Sequence, residues 1–115
     1  MEWKSAKIET VRKIVEGDLT NCDDAQLTTF QKYSVNPYLA PIVRYGNKES
    51  VIVVARKGDE VIYWEDVEEG FNVSPVAADG RILEHSCNQD DLALALNRWV
   101  EGRSTTVRLR PSDFG

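Results

Sequence analysis

A chain of 115 residues that is 42% hydrophobic and 29% charged has room for one domain with a single core, which excludes a second domain and an intrinsically disordered chain. A net charge of −5 and a pI near 4.9 argue against gripping nucleic-acid phosphates and favour basic partners. Apolar runs such as Val51 to Ala55 are far too short to cross a bilayer, and Met1 to Ser5 leads into alternating charged and apolar residues unlike a signal peptide, so a cytoplasmic location without membrane contact is expected.

In chain order, Ser5 is a candidate cap for a helix over 6–16, with Ile8, Val11, Ile14 and Val15 at helical spacing and Gly17 as its stop. A second helix is expected over 22–33. Asn21 is its candidate cap, Asp23 and Asp24 lie in its first turn where the dipole favours anions, and Leu27, Phe30 and Tyr33 share a face. Pro37 and Pro41 then require an extended connection.

From Ile42 onward short β-branched and aromatic runs alternate with turn chemistry at Gly46-Asn47, Lys57-Gly58-Asp59, Glu69-Gly70 and Asp79-Gly80. Antiparallel strands are expected near 42–45, 50–56, 60–65, 71–75 and 81–86. The unbroken run Val51 to Ala55 reads as a central strand covered at least partly on both faces, with helices supplying some of the cover. A third helix begins near Asn88 or Gln89, carries Asp90 and Asp91 in its first turn, places Leu92, Ala95, Leu96 and Trp99 on one face, and ends at Gly102. Residues 105–110 alternate as an edge strand before Pro111. The expected fold is α+β, an antiparallel meander of four to five strands packed by two N-terminal helices and one C-terminal helix, in one domain spanning 1–115.

Chemistry is sparsely marked. His85 and Cys87 can share a strand face, yet no third group orients the imidazole, and Cys22 and Cys87 lack metal or redox spacing, so both read as free thiols. No phosphate-binding or nucleophile-elbow motif is present. Neither a cofactor nor a metal is expected, and the chain does not read as an enzyme.

The unusual feature is charge. From Asp59 to Asp91 there are ten acids against Arg81 alone, so this segment carries −9 and the remainder +4. Within it, Glu65, Asp66, Glu68 and Glu69 crowd beside Tyr63, Trp64 and Phe71 without an intervening cation. Four like charges repel, and a chain seeking only solubility gains more by interspersing lysines. Rings for contact ringed by charges for steering are what a docking surface needs. A solvated turn is the plain alternative. A carboxylate or metal-dependent hydrolase is another, although the cluster lacks the glycine and ligand spacing of a calcium loop. A nucleic-acid binder using Arg98, Arg103, Arg108 and Arg110 is opposed by the net charge.

The stretch "VIVVARKGDEVIYWEDVEEGFNVSPVAADGRIL" followed by "CNQDDLALALNRW" resembles small immunity proteins of bacterial polymorphic-toxin and contact-dependent inhibition systems. The likeness covers roughly residues 50–100. It rests on a hairpin ending in the aromatic Glu-Asp-Val-Glu-Glu-Gly-Phe stretch, an Asp-Gly turn and a Gln-Asp-x-Leu helix ending in Trp. The resemblance implies a non-catalytic cytoplasmic inhibitor of a toxin's C-terminal domain, often a basic nuclease. Contact residues are then expected among Tyr63, Trp64, Glu65, Asp66, Glu68, Glu69, Phe71 and Asp79, with rings serving as anchors where exposed. Strand alternation puts Tyr63 and Glu65 on one face and Trp64 and Asp66 on the other, leaving one ring available. An acidic adaptor that docks another basic protein is the alternative.

Overall fold

The sheet is built in the order in which the chain supplies its strands. A computed structural model describes residues 2–44, 46–65, 69–83 and 90–100, with backbone alone for 2–6 and 44. Helices α1 (Glu2–Leu19) and α2 (Asp24–Tyr33) precede strands β1 (Ser34–Arg44), β2 (Asn47–Lys57), β3 (Glu60–Glu65) and β4 (Gly70–Pro75), and helix α3 (Leu92–Asn97) follows. The strands form one antiparallel sheet of order β1-β2-β3-β4. The α+β meander with two N-terminal helices and one C-terminal helix is thus the fold.

Helix boundaries follow side-chain hydrogen bonds more than the most obvious sequence signals. Gly17 and Ser5 both lie inside α1, which runs on to Leu19. α2 is capped by Asp23 and not by Asn21. The Asp23 carboxylate accepts the Gln26 N–H at 2.8 Å while Gln26 Oε1 accepts the Asp23 N–H at 2.8 Å, a reciprocal capping box. α3 starts later than expected because Asp91 is its cap, accepting from the Leu94 N–H at 3.0 Å. Asp90 lies before the helix, where its carbonyl accepts the Phe71 N–H at 2.8 Å.

The stretch from Ser34 to Pro41 is not a connection but most of β1, the outer strand beside β2. An edge strand tolerates proline because one row of its N–H groups faces away from the ladder. Among the described residues no fifth strand follows β4. Residues 75–83 instead form a strap with a single bridge between Val76 and Ile82. Val76 N–H donates to Asp59 O at 2.8 Å, Ile82 N–H to Pro41 O at 2.9 Å and Leu83 N–H to Pro75 O at 3.0 Å. The strap therefore ties the end of β4 to the outer edge of β1, which requires the sheet to curl. The expected strand over 81–86 extends into 84–89, and the edge strand over 105–110 lies wholly outside the described residues.

Two cores result, one on each face of β2. Val11 and Val15 of α1, Ile52, Val54, Ile62 and Phe71 of the sheet, and Leu92, Leu96 and Trp99 from the C-terminal helical segment pack together on the helix side. Ala40, Ile42, Val51, Val53, Val61, Tyr63, Val76 and Ile82 fill the concave side under the strap. Val51 to Ala55 are all buried, as a central strand covered on both faces demands. Each fully buried Val or Ile contributes about 1.5–3 kcal/mol. A bulge between Val53 and Ala55 shifts the register, so Ala55 joins the helix-side core although its parity matches Val53.

Candidate functional site

β3 carries the aromatic and acidic residues, and its central position decides their fates. Tyr63 is fully buried in the concave core and Phe71, on β4, is fully buried in the helix-side core. Glu65, the last residue of β3 and the partner of Gly70, is also fully buried. Tyr63, Glu65 and Phe71 are therefore corrected from surface contacts to interior residues. Helix residues cover the side that carries Ile62 and Phe71, and Val76 and Ile82 of the strap cover the side that carries Val61 and Tyr63.

Trp64 is the ring that remains available. It is half-buried on the helix side, packed edge-on against Phe71 with centroids 5.0 Å apart and planes at 65°. It lines a groove of about 300 Å³ together with Lys7, Thr10, Val11 and Ile14 of α1 and Glu69. Glu69 is exposed and is the one described non-glycine residue with left-handed backbone, at φ 58°. Asp66 and Glu68 lie outside the described residues. The structure thus brings Trp64 and Glu69 together at one groove and separates both from Tyr63, Glu65 and Phe71.

Asp79 is exposed but already engaged. Its Oδ1 accepts the Arg81 backbone N–H at 3.1 Å, and Arg81 Nε lies 3.2 Å from Oδ2. The backbone hydrogen bond first, and then the guanidinium, hold this carboxyl below the usual aspartate value. The pair closes the turn at Gly80, whose φ of 90° suits glycine. Asp79 stays solvent-accessible, with its charge largely answered within the turn.

Other acids of the −9 segment have structural work. Glu60 Oε1 accepts the Trp99 indole N–H at 2.9 Å, and Asp91 caps α3. Asp18, from α1, accepts the Leu92 N–H at 3.0 Å and so helps to seat the same helix. The half-buried Cys22 donates its thiol to the backbone carbonyl of Asp18 at 3.6 Å. Desolvation first, then the charges of Asp91, Asp18 and Asp23, raise the thiol pKa. The approach of Asp91 to the Asp18–Asp23 stretch that contains Cys22 escaped sequence reasoning because only tertiary packing brings the start of α3 there. Among the described residues no group of three His, Cys, Asp or Glu side chains is placed to hold a metal. His85 and Cys87 lie outside the described residues. Among the described residues no helix is long and apolar enough to cross a membrane.

No family model matches the chain, and neither curated proteins nor solved structures yield a significant match.

Proposed function

We propose that this protein is an immunity-type inhibitor that neutralises the basic C-terminal domain of a cognate toxin, without catalysis, in the cytoplasm. The contact surface is the β3–β4 turn and the groove beside it: Glu69, its sequence neighbours Asp66 and Glu68, and the exposed part of Trp64. The observation that carries this reading is the pairing of Glu69, held outward on a left-handed backbone, with a half-buried indole on one groove. Non-glycine residues in that conformation cost roughly 1–2 kcal/mol, and such cost accumulates where function uses it. A basic nuclease presents the complementary charge, so opposite fields accelerate encounter while the indole slows departure.

Co-expression with the gene product encoded next to it tests the proposal. Toxicity of the neighbour alone, abolished by this protein through a stable complex, is the expected result. A complex with a harmless basic protein would instead make this chain an adaptor, and no complex at all would end both readings.

A further inference from the structure

A second groove, built from other elements than the β3–β4 turn, has an excess of cations. It measures about 520 Å³ and is lined by one face of α2, the end of β2 and the segment closing α3. Ala25, Thr28, Thr29 and Lys32 line it at the i, i+3, i+4, i+7 spacing of a single helix face. Lys57 enters from the end of β2 and Arg98 from the end of α3. Three cations from three elements therefore meet at one concavity of a protein whose net charge is −5.

Two of them lie over one aromatic ring. Lys32 Nζ lies 5.3 Å and Lys57 Nζ 5.7 Å from the centroid of the Tyr33 ring, which itself packs edge-on against Trp99 at 5.7 Å and 71°. The ring's negative face attracts both ammonium groups and keeps them near each other against their repulsion. Lys32, Lys57 and Arg98 are all exposed, and none of them forms a close ion pair with a carboxylate among the described residues. Asp24 lines the groove as well, and a carboxylate oxygen of Glu60 is occupied by the Trp99 indole.

We propose that this groove binds a small organic phosphate. Two ammonium groups, a guanidinium fork and the hydroxyls of Thr28 and Thr29 form a set rich in donors, matched to the several acceptor oxygens of a phosphate monoester. The groove lies in the size range of small-molecule sites, and Ala25, Val100 and the aromatic pair offer apolar surface to the organic part. Asp24 is placed to accept from a hydroxyl or amine of the same ligand. This inference does not depend on the toxin-binding reading, because it uses none of the same residues.

The test titrates the full chain at low salt with inorganic phosphate, glucose 6-phosphate and adenosine 5′-monophosphate, each organic phosphate run beside its dephosphorylated counterpart. Amide chemical shifts of Thr28, Thr29, Lys57 and Arg98 and the fluorescence of the tryptophans report binding. Saturable shifts at these amides with an organic phosphate, absent with glucose and adenosine, are expected. Lys57→Glu and Arg98→Glu should each weaken that binding about tenfold, with thermal unfolding checked in parallel. Lys32→Glu supplies an independent variant should either of those fail to fold. Absence of groove shifts with every phosphate, equal shifts with chloride at matched ionic strength, or affinity unchanged in the folded variants would overturn the proposal.

Discussion

At the scale of single residues, Glu69 separates folding from function most clearly. A left-handed backbone favours glycine, so Glu69→Gly is expected to leave stability unchanged or raise it by up to ~1 kcal/mol, as read by urea denaturation. The same change removes a steering charge and should slow association with a basic partner; a large loss of stability would mean that the side chain is structural. Cys22 makes a second prediction. Its raised pKa lowers the share of reactive thiolate, so in a Cys87→Ser background it should alkylate more slowly than an unhindered thiol. Asp91→Asn removes one of the opposing charges and should speed that reaction; no change would discount the electrostatic cause. For Asp79 the folded pKa is depressed, so its small stabilising effect is present above the unfolded pKa and is lost as pH falls through the folded value. Carboxyl NMR titration should place Asp79 below an ordinary aspartate and return it towards that value in Arg81→Ala.

At the scale of elements, the helices depend on a few polar side chains that span the structure. Gln26 is buried, completes the α2 capping box, and donates through Nε2 to Asn97 Oδ1 at 2.8 Å and Ala93 O at 3.3 Å, locking α2 onto α3. Gln26→Ala removes all three bonds and strands acceptors at the interface, so a loss of about 2–3 kcal/mol in chemical denaturation is expected. Asp23→Ala should cost about 1 kcal/mol by the same measurement. If Gln26→Ala cost no more than Asp23→Ala, the interhelix bonds would have no weight. These bonds explain which parts of the fold were legible in sequence. Val51 to Ala55 announced a doubly covered strand, and the periods of α1 and α2 were plain. The cap was misplaced to Asn21 because Asp23 and Gln26 look like first-turn residues until their reciprocal bonds are seen. β1 was hidden by Pro37 and Pro41, which are compatible with an outer strand but never advertise one. The described part of the expected fifth strand, 81–83, belongs to a strap because residues 76–83 bond to Pro41 and Asp59, contacts that local sequence does not encode.

At the scale of the whole molecule, two grooves differ in charge: Glu69 and Lys7 line the one beside Trp64, whereas Lys32, Lys57 and Arg98 outnumber Asp24 in the one between α2, β2 and α3. The acidic excess was legible by counting, and so was the prospect that one ring would remain accessible. Which ring it would be was not, because that depended on the strap covering the concave face and burying Tyr63. Composition also could not show that Glu60, Asp79 and Asp91 are engaged by Trp99, Arg81 and the start of α3, while Glu69 is exposed. The basic groove was invisible in sequence, since Lys32, Lys57 and Arg98 are separated along the chain and only tertiary packing brings them together. The central claim is that the acidic turn recognises a basic protein. Calorimetric titration against the product of the neighbouring gene, at two salt concentrations and with Asp66, Glu68 and Glu69 changed to lysine, tests it most directly. Tight stoichiometric binding that weakens with salt and falls by about a hundredfold or more in the charge-reversed, still folded variant is predicted. Binding of equal strength in that variant, or no binding by the unaltered protein, would contradict it.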